Sequence, residues 1–223
     1  MNTTTDTRER LLDVARDLFA QRGYRATTVR DITKAAGANI AAVGYYFESK
    51  EGLYGAVLQS LIGPLAERVT WACQLPKPPL DRVEFLVRAI FDHIRSRPQM
   101  PAIMVREMAG GDDIHPVIVG TFSRLLPEMT RVIADGQRDG SIRDGDAILL
   151  TTSILAQPVY LGLARRMIAR LASLDVSDDA TAQRLADHAA AIVRAALARP
   201  ADQPPPGRAN VAVVGSGAAG NGR

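Results

Sequence analysis

The chain has 223 residues, of which 47% are apolar and 5% aromatic; this supports one or two small packed domains, excludes wholesale disorder, and favours helices over a β-sandwich. Twenty-seven basic against 24 acidic residues leave a net charge of +3, too mild an excess to indicate nucleic acid by itself. The single cysteine, Cys73, excludes an intrachain disulfide framework and a cysteine-based zinc finger, and suits the reducing cytosol.

The polar stretch Met1 to Arg10 lacks the apolar centre of a secretory signal. Leu11, Leu12, Ala15, Leu18 and Phe19 then recur at helical spacing, and Gly23 stops that helix in the manner of a left-handed C-terminal residue. Thr28, with Asp31 three residues on, predicts a capped short helix whose apolar side carries Val29, Ile32, Ala35 and Ala36. Gly37 breaks it, Asn39 is a new cap, and Ile40 to Tyr46 makes a third helix of about two turns. Ser49 caps a fourth, longer helix, with Glu51 in the first turn and an expected kink or interruption at Gly63-Pro64.

Pro76-Lys77-Pro78-Pro79 reads as a stiff linker. Beyond it the pattern predicts helices near Leu80 to Ser96, Pro101 to Met108, Ile114 to Gln137, Asp144 to Leu171 and Ser177 to Ala198. Turns fall at Gly110-Gly111 and Asp139-Gly140. The uncharged run from Ala147 to Ala164 approaches membrane-spanning length, but its Thr151, Thr152, Ser153, Gln157 and Pro158 favour a helix buried between protein surfaces. The expectation is a soluble cytoplasmic protein with no membrane segment. From Arg199 the composition turns to Pro, Gly, Ala and polar residues, as in a disordered tail.

Three short helices before a long one suggest a helix-turn-helix, which needs a positioning helix, a tight turn with a small residue, and a slim second helix for the major groove. Thr28 to Ala36, Gly37, and Asn39 to Tyr46 meet those needs. Thr27, Thr28, Arg30, Tyr45, Tyr46 and Lys50 offer hydroxyls and cations around the rim for phosphate.

The run from Gly23 to Ile32, then Ala36-Gly37, then Tyr45-Tyr46-Phe47-Glu48-Ser49-Lys50-Glu51-Gly52-Leu53, resembles the DNA-binding signature of TetR-type transcriptional regulators over roughly residues 7 to 58. The resemblance implies a homodimeric, all-helical regulator whose DNA affinity answers to a small molecule held in the C-terminal part. It places Thr28 and Lys50 on phosphate, Tyr45 and Tyr46 on phosphates and bases, and Asn39, Ile40, Ala41, Ala42 and Gly44 in the groove. Gly44 stands where relatives often have Tyr, and Ile40 where they are often polar. Specificity is therefore expected to draw on thymine methyl contacts and DNA shape. Asn39 to Ala42 followed by Tyr45 to Phe47, together with Arg106-Glu107 and the region Pro127 to Ile133, is similar to the CecR-like branch of the family.

Met100, Met104 and Met108 form a stripe at helical spacing that suits either core packing or an adaptable pocket. With Trp71, Phe91, His93, Phe122, Gln157 and Tyr160 they are the candidate effector-binding residues, since such cavities are mostly apolar with a few polar anchors. Asp112, Asp113 and His115 are compact enough for a metal, but two acids before a helix read better as caps, so no metal is expected. His188 reads as a surface or interface residue. Val211 to Gly220 imitates a dinucleotide-binding strand and G-x-G-x-x-G loop, but it lacks the following helix and the acid about 20 residues on, so no cofactor is expected.

The sequence thus predicts an all-α homodimer. A helix-turn-helix head spans residues 1–50, an effector-binding and dimerisation body 51–199, and a tail 200–223. The helices at Asp144 to Leu171 and Ser177 to Ala198 would pair with their copies, close approach being permitted by Ala164, Ala189, Ala190 and Ala196. The expected function is a repressor released from double-stranded operator DNA by a small molecule, not an enzyme. A ligand-blind architectural or partner-binding DNA protein is the alternative.

Overall fold

The computed structural model describes residues 3–110, 114–172, 174 and 178–200. Three helices form the head: α1 (Thr3–Arg22), α2 (Val29–Ala35) and α3 (Ala41–Phe47). The body comprises α4 (Lys50–Cys73), α5 (Pro79–Ser96), α6 (Met100–Ala109), α7 (Pro116–Asp139), α8 (Ala147–Ala172) and α9 (Asp179–Leu197). No strand occurs among the described residues; one isolated bridge, Ile142 with Ala198, ties the α7–α8 link to the end of α9.

The head folds around a few large apolar side chains. Leu11, Ala15 and Phe19 of α1 meet Ile32 of α2, Val43 and Phe47 of α3, and Leu53 and Val57 of α4 in one buried cluster. Its helices stop and start where the chain's chemistry requires. Gly23 takes φ 83° to end α1, a conformation that a Cβ would strain. Ser49 then caps α4 by accepting from the Gly52 N–H at 3.0 Å.

α5 is the centre of the body, with Val83, Leu86, Val87, Ile90 and Ile94 buried against α4, α7, α8 and α9. Its packing on α9 is flanked by ion pairs: Arg194 with Asp81 (2.9 Å) and Glu84 (2.5 Å), Arg95 with Asp179 (2.8 Å), and Arg88 with Asp187. These pairs are largely exposed, so they fix register more than they stabilise. Gly162 of α8 lets Ile94 and Pro101 close in where a Cβ would overlap Ile94. Burial pushes the Cys73 thiol up to about 11, so it stays protonated and unreactive.

The structure corrects two sequence expectations, the interruption of α4 and the outward placement of Ala189 and Ala190. α4 is continuous from Lys50 to Cys73 with Pro64 inside it: the helix tolerates the missing N–H because its flanks, Leu61, Ile62 and Leu65, are locked in the core. Ala189 and Ala190 are fully buried within the chain and therefore do not face outwards for pairing. The stretch Ala147–Arg165, long and apolar enough to cross a membrane, is only 22% buried. One side of α8 packs on α5 and α7, while Leu149, Tyr160, Leu163, Met167 and Leu171 form an exposed apolar stripe along it. Asp112 and Asp113, expected to cap a helix rather than to hold a metal, and the motif in Val211 to Gly220 lie outside the described residues.

Candidate nucleic-acid interface and its link to the body

The positioning helix α2 opens with a complete capping box. Thr28 Oγ1 accepts from the Asp31 N–H (3.1 Å), and the Asp31 carboxylate accepts from both the Thr28 N–H (3.0 Å) and the Thr28 hydroxyl (2.7 Å). Those hydrogen bonds from Thr28 hold the Asp31 carboxyl below its ordinary range. The Thr28 hydroxyl remains exposed at the rim, as does Arg30. Thr27 does not: it is fully buried and donates to the Gly23 carbonyl at 2.8 Å. Its position next to the cap suggested phosphate, but its hydroxyl instead closes the α1–α2 corner.

On α3, Asn39 is exposed and its side chain accepts from the Ala41 N–H at 2.9 Å, restraining the start of the helix. The outward face then carries Ile40 (52% exposed), Ala41, Gly44 and Tyr45 (78% exposed). Ala42 is partly buried, while Val43 and Phe47 point into the head core. A Cβ on Gly44 would meet nothing within 4 Å, so the middle of this face is recessed and open. Tyr46 is half-buried and packs edge-on against Tyr45, with ring centroids 4.8 Å apart. Ile40 and Tyr45 are thus held in water on a helix pinned from its other side.

The α3–α4 turn is tight. Glu48 has φ 65°, and the Ser49 N–H donates to the Phe47 carbonyl at 2.7 Å, a strained three-residue turn. Gly52 lies against that same carbonyl, which a Cβ would overlap. Lys50 follows directly. Its ammonium sits 4.2 Å from the centre of the Tyr24 ring, and desolvation lowers its pKa. Sequence reasoning missed Arg8 of α1, whose guanidinium lies 5.3 Å from the centre of the Phe47 ring and so borders α3. Its helical register relative to Leu11 and Ala15 was the available signal.

The end of α6 grips the head. Tyr54 of α4 is buried and donates its hydroxyl to Glu107 Oε1 at 2.6 Å. Glu107 Oε2 accepts from the His115 N–H at 3.1 Å. Burial and the Glu107 carboxylate push the Tyr54 phenol far above its ordinary pKa. Phe19, Tyr24 and His115 surround the Tyr54 ring at 4.9, 4.8 and 5.7 Å. Arg106 donates to the Gln21 carbonyl at 3.1 Å, and Gln99 at the start of α6 donates to Asp17 at 2.8 Å. His115 itself caps α7, accepting from the Val117 N–H at 3.2 Å.

The candidate effector residues sit in different surroundings. His93 is buried and donates from Nε2 to the Leu61 carbonyl at 2.6 Å, and desolvation lowers its pKa. Met100 and Met104 are core; Phe91 packs with Ala182 and Ala186 in a separate small cluster. Phe122 is partly buried against the main core. Met108, Trp71 and Tyr160 are exposed; Met108 is so because the stripe that holds Met100 and Met104 inside runs out at the last turn of α6. Gln157 differs from all of these: its Oε1 is buried without a hydrogen-bond partner.

A family model of bacterial regulatory proteins, tetR family, matches residues 11–57, and one of the tetracyclin repressor-like C-terminal domain matches residues 79–193. The chain belongs to the TetR family. It is similar to the transcriptional repressor KstR2 of Rhodococcus jostii, with 47% identity over 163 residues that cover 70% of this chain and 78% of that protein. It also resembles the transcriptional regulator RutR of Escherichia coli, at 30% identity over 138 residues, 59% of this chain and 62% of the relative. Among solved structures, the ketosteroid transcriptional regulator KstR2 of Mycobacterium tuberculosis superposes with TM-score 0.71 at 26% identity, covering 86% of this chain and 95% of that one. The all-helical arrangement is thus that of known TetR regulators, and the resemblance read from residues 7 to 58 is a true family relationship. The CecR-like branch within it rests on the sequence resemblance alone.

Proposed function

We propose that this chain is a homodimeric repressor, with a head over residues 1–50 and a body over 51–199, that leaves its operator when a small molecule binds. The observation that carries the DNA reading is the exposed Ile40–Ala41–Gly44–Tyr45 face on a helix whose other side is locked into the head core. Ile40 offers an apolar surface to a thymine methyl, and the gap at Gly44 admits a base edge or the groove wall. Thr28, Arg30, Tyr46, Lys50 and Arg8 border that face and supply phosphate contacts.

Dimerisation follows from α8. A stripe of Leu149, Tyr160, Leu163, Met167 and Leu171, with Ile192 exposed on neighbouring α9, is too apolar to remain in water and suits a second copy. Ala191 and Ala195, exposed on α9, replace Ala189 and Ala190 as the small residues that permit close approach. Two heads then read successive major grooves about 34–36 Å apart, and a ligand that favours another separation weakens binding. A coupling of about 1–3 kcal/mol changes operator affinity about 5–150-fold.

The relatives named KstR2, one of them a ketosteroid regulator, make ketosteroids the first effectors to test. The unpartnered Gln157 Oε1 is an acceptor, so it suits a ligand hydroxyl that donates to it. Operator titration by the purified protein with a ketosteroid panel tests this: a drop in affinity for wild type, blunted in Gln157→Leu, supports it. Unchanged operator binding across the panel would favour a ligand-blind protein.

A further inference from the structure

We infer that Tyr24 is a positioning residue for operator binding: the face of its ring holds the Lys50 ammonium ready to grip a DNA phosphate. The inference rests on the repressor reading, in which Lys50 contacts the DNA backbone.

Lys50 stands where a cation needs a holder. It is the first residue of α4, and the positive end of the helix dipole disfavours a cation there. Among the described residues no ion pair holds it. Its ammonium instead lies 4.2 Å from the centre of the Tyr24 ring, within reach of the ring quadrupole.

A ring holds a lysine differently from a carboxylate. A carboxylate cancels the charge, whereas an aromatic face leaves it intact. The ammonium hydrogens turned away from the ring stay available to phosphate oxygens. Restraining this long side chain before DNA arrives also removes part of the ordering cost of binding. Burial and the nearby Glu51 raise the Tyr24 phenol pKa, so the hydroxyl stays protonated and the ring acts through its face.

The ring is itself fixed in place. Gly23 takes φ 83° immediately before Tyr24. The Thr27 N–H donates to the Tyr24 carbonyl at 3.4 Å, and the Thr27 hydroxyl to the Gly23 carbonyl at 2.8 Å. This corner brings Tyr24 to α4, where its ring packs against Tyr54 at 4.8 Å and Phe19 at 5.9 Å. Buried Thr27 thus serves the DNA surface through Tyr24 and Lys50.

Operator titration of the full chain separates positioning from packing. Tyr24→Leu should weaken binding about three- to tenfold, while Tyr24→Phe, which keeps the face, should stay within about twofold of wild type. Trifluorophenylalanine in place of Tyr24 keeps the shape of Phe but drains charge from the ring face. It should lose about as much affinity as Tyr24→Leu, and it carries the test if the leucine variant folds poorly. In a Lys50→Ala background the fluorinated residue should change affinity less than about twofold. A loss of equal size with and without Lys50, or no loss on fluorination, overturns the inference and leaves Lys50 on the phosphate. Lys50→Ala with unchanged affinity and salt slope would instead remove the phosphate contact itself, and the inference with it.

Discussion

The hydroxyl of Tyr54, on α4, meets the carboxylate of Glu107, on α6, at 2.6 Å, and the same carboxylate holds the backbone of His115. One acid thereby connects the long helix bearing the head to the turn between α6 and α7. Tyr54→Phe keeps the ring that packs on Phe19 and Tyr24 and removes only the donor. Because Glu107 is partly solvated, the loss is expected to be about 1 kcal/mol, or about 2–4 °C in Tm. Operator affinity should fall as the head loosens. Thermal melting and operator titration check both; an unchanged Tm with unchanged affinity would remove this contact from the link.

The turn after the recognition helix should be intolerant at one position and improvable at another. Gly52→Ala drives a Cβ into the Phe47 carbonyl and should abolish operator binding while the body stays helical by circular dichroism. Glu48→Gly relieves the left-handed strain at φ 65° and should stabilise by about 1 kcal/mol. Gly44→Ala, in open space, should also stabilise by about 0.5–1 kcal/mol, yet it alters the groove-facing surface and should shift base preference.

Much of this head was legible in the sequence because caps and breakers are local devices. Thr28 with Asp31, Ser49 and Gly23 all act where their chemistry put them, as does Gly140 at the end of α7 in the body. Helix rotation in the body was less legible. On α9, Ala189 and Ala190 share one face with Ala182, Ala186, Val193 and Leu197, so helical periodicity was the available signal that they turn inwards. Thr27 and Thr28 are adjacent and chemically alike, and only the α1–α2 corner decides that one is buried. His93, Met108 and Trp71 illustrate the pocket problem: residue type suggests lining, but which side a helix turns to its neighbours is set by distant packing.

Stability should fall on mild acidification because of His93. Its folded pKa lies below the ordinary value of 6.5 as a result of burial, so the unfolded chain takes up a proton first. The neutral-state stability is complete above about pH 6.5 and declines as pH drops from there through the lowered folded value. Tm measured between pH 7.5 and 5.5 should decrease, and His93→Gln should flatten that slope even if it lowers Tm throughout. The carboxylates of Asp31 and Asp187, whose pKa values are also held down, lose their contribution only at pH below about 4.

Placing charge on the α8 stripe should separate dimerisation from folding. Leu163→Arg with Leu171→Arg alters two exposed positions and should leave the helical fold intact while shifting sedimentation from dimer to monomer. Operator affinity should drop by at least a hundredfold, because a lone head makes half the contacts. A variant that remains dimeric would move the interface off this face.

Within the operator complex, Lys50 and Ile40 have different expected roles. Lys50→Ala should weaken binding to all sequences alike and lower the salt slope by about one phosphate contact. Ile40→Ala should change which base is preferred at one position of each half-site. Identical effects of both variants on every sequence would remove Ile40 from base readout.

The most direct test is selection of bound sequences from a random DNA pool by the purified protein, followed by salt titration of the enriched site. The expected result is an inverted repeat, with half-sites read one helical turn apart or by overlapping dimers, bound far more tightly than bulk DNA at physiological salt. No enriched sequence, with only weak and steeply salt-dependent binding, would contradict the assignment of the Ile40–Tyr45 face to operator recognition.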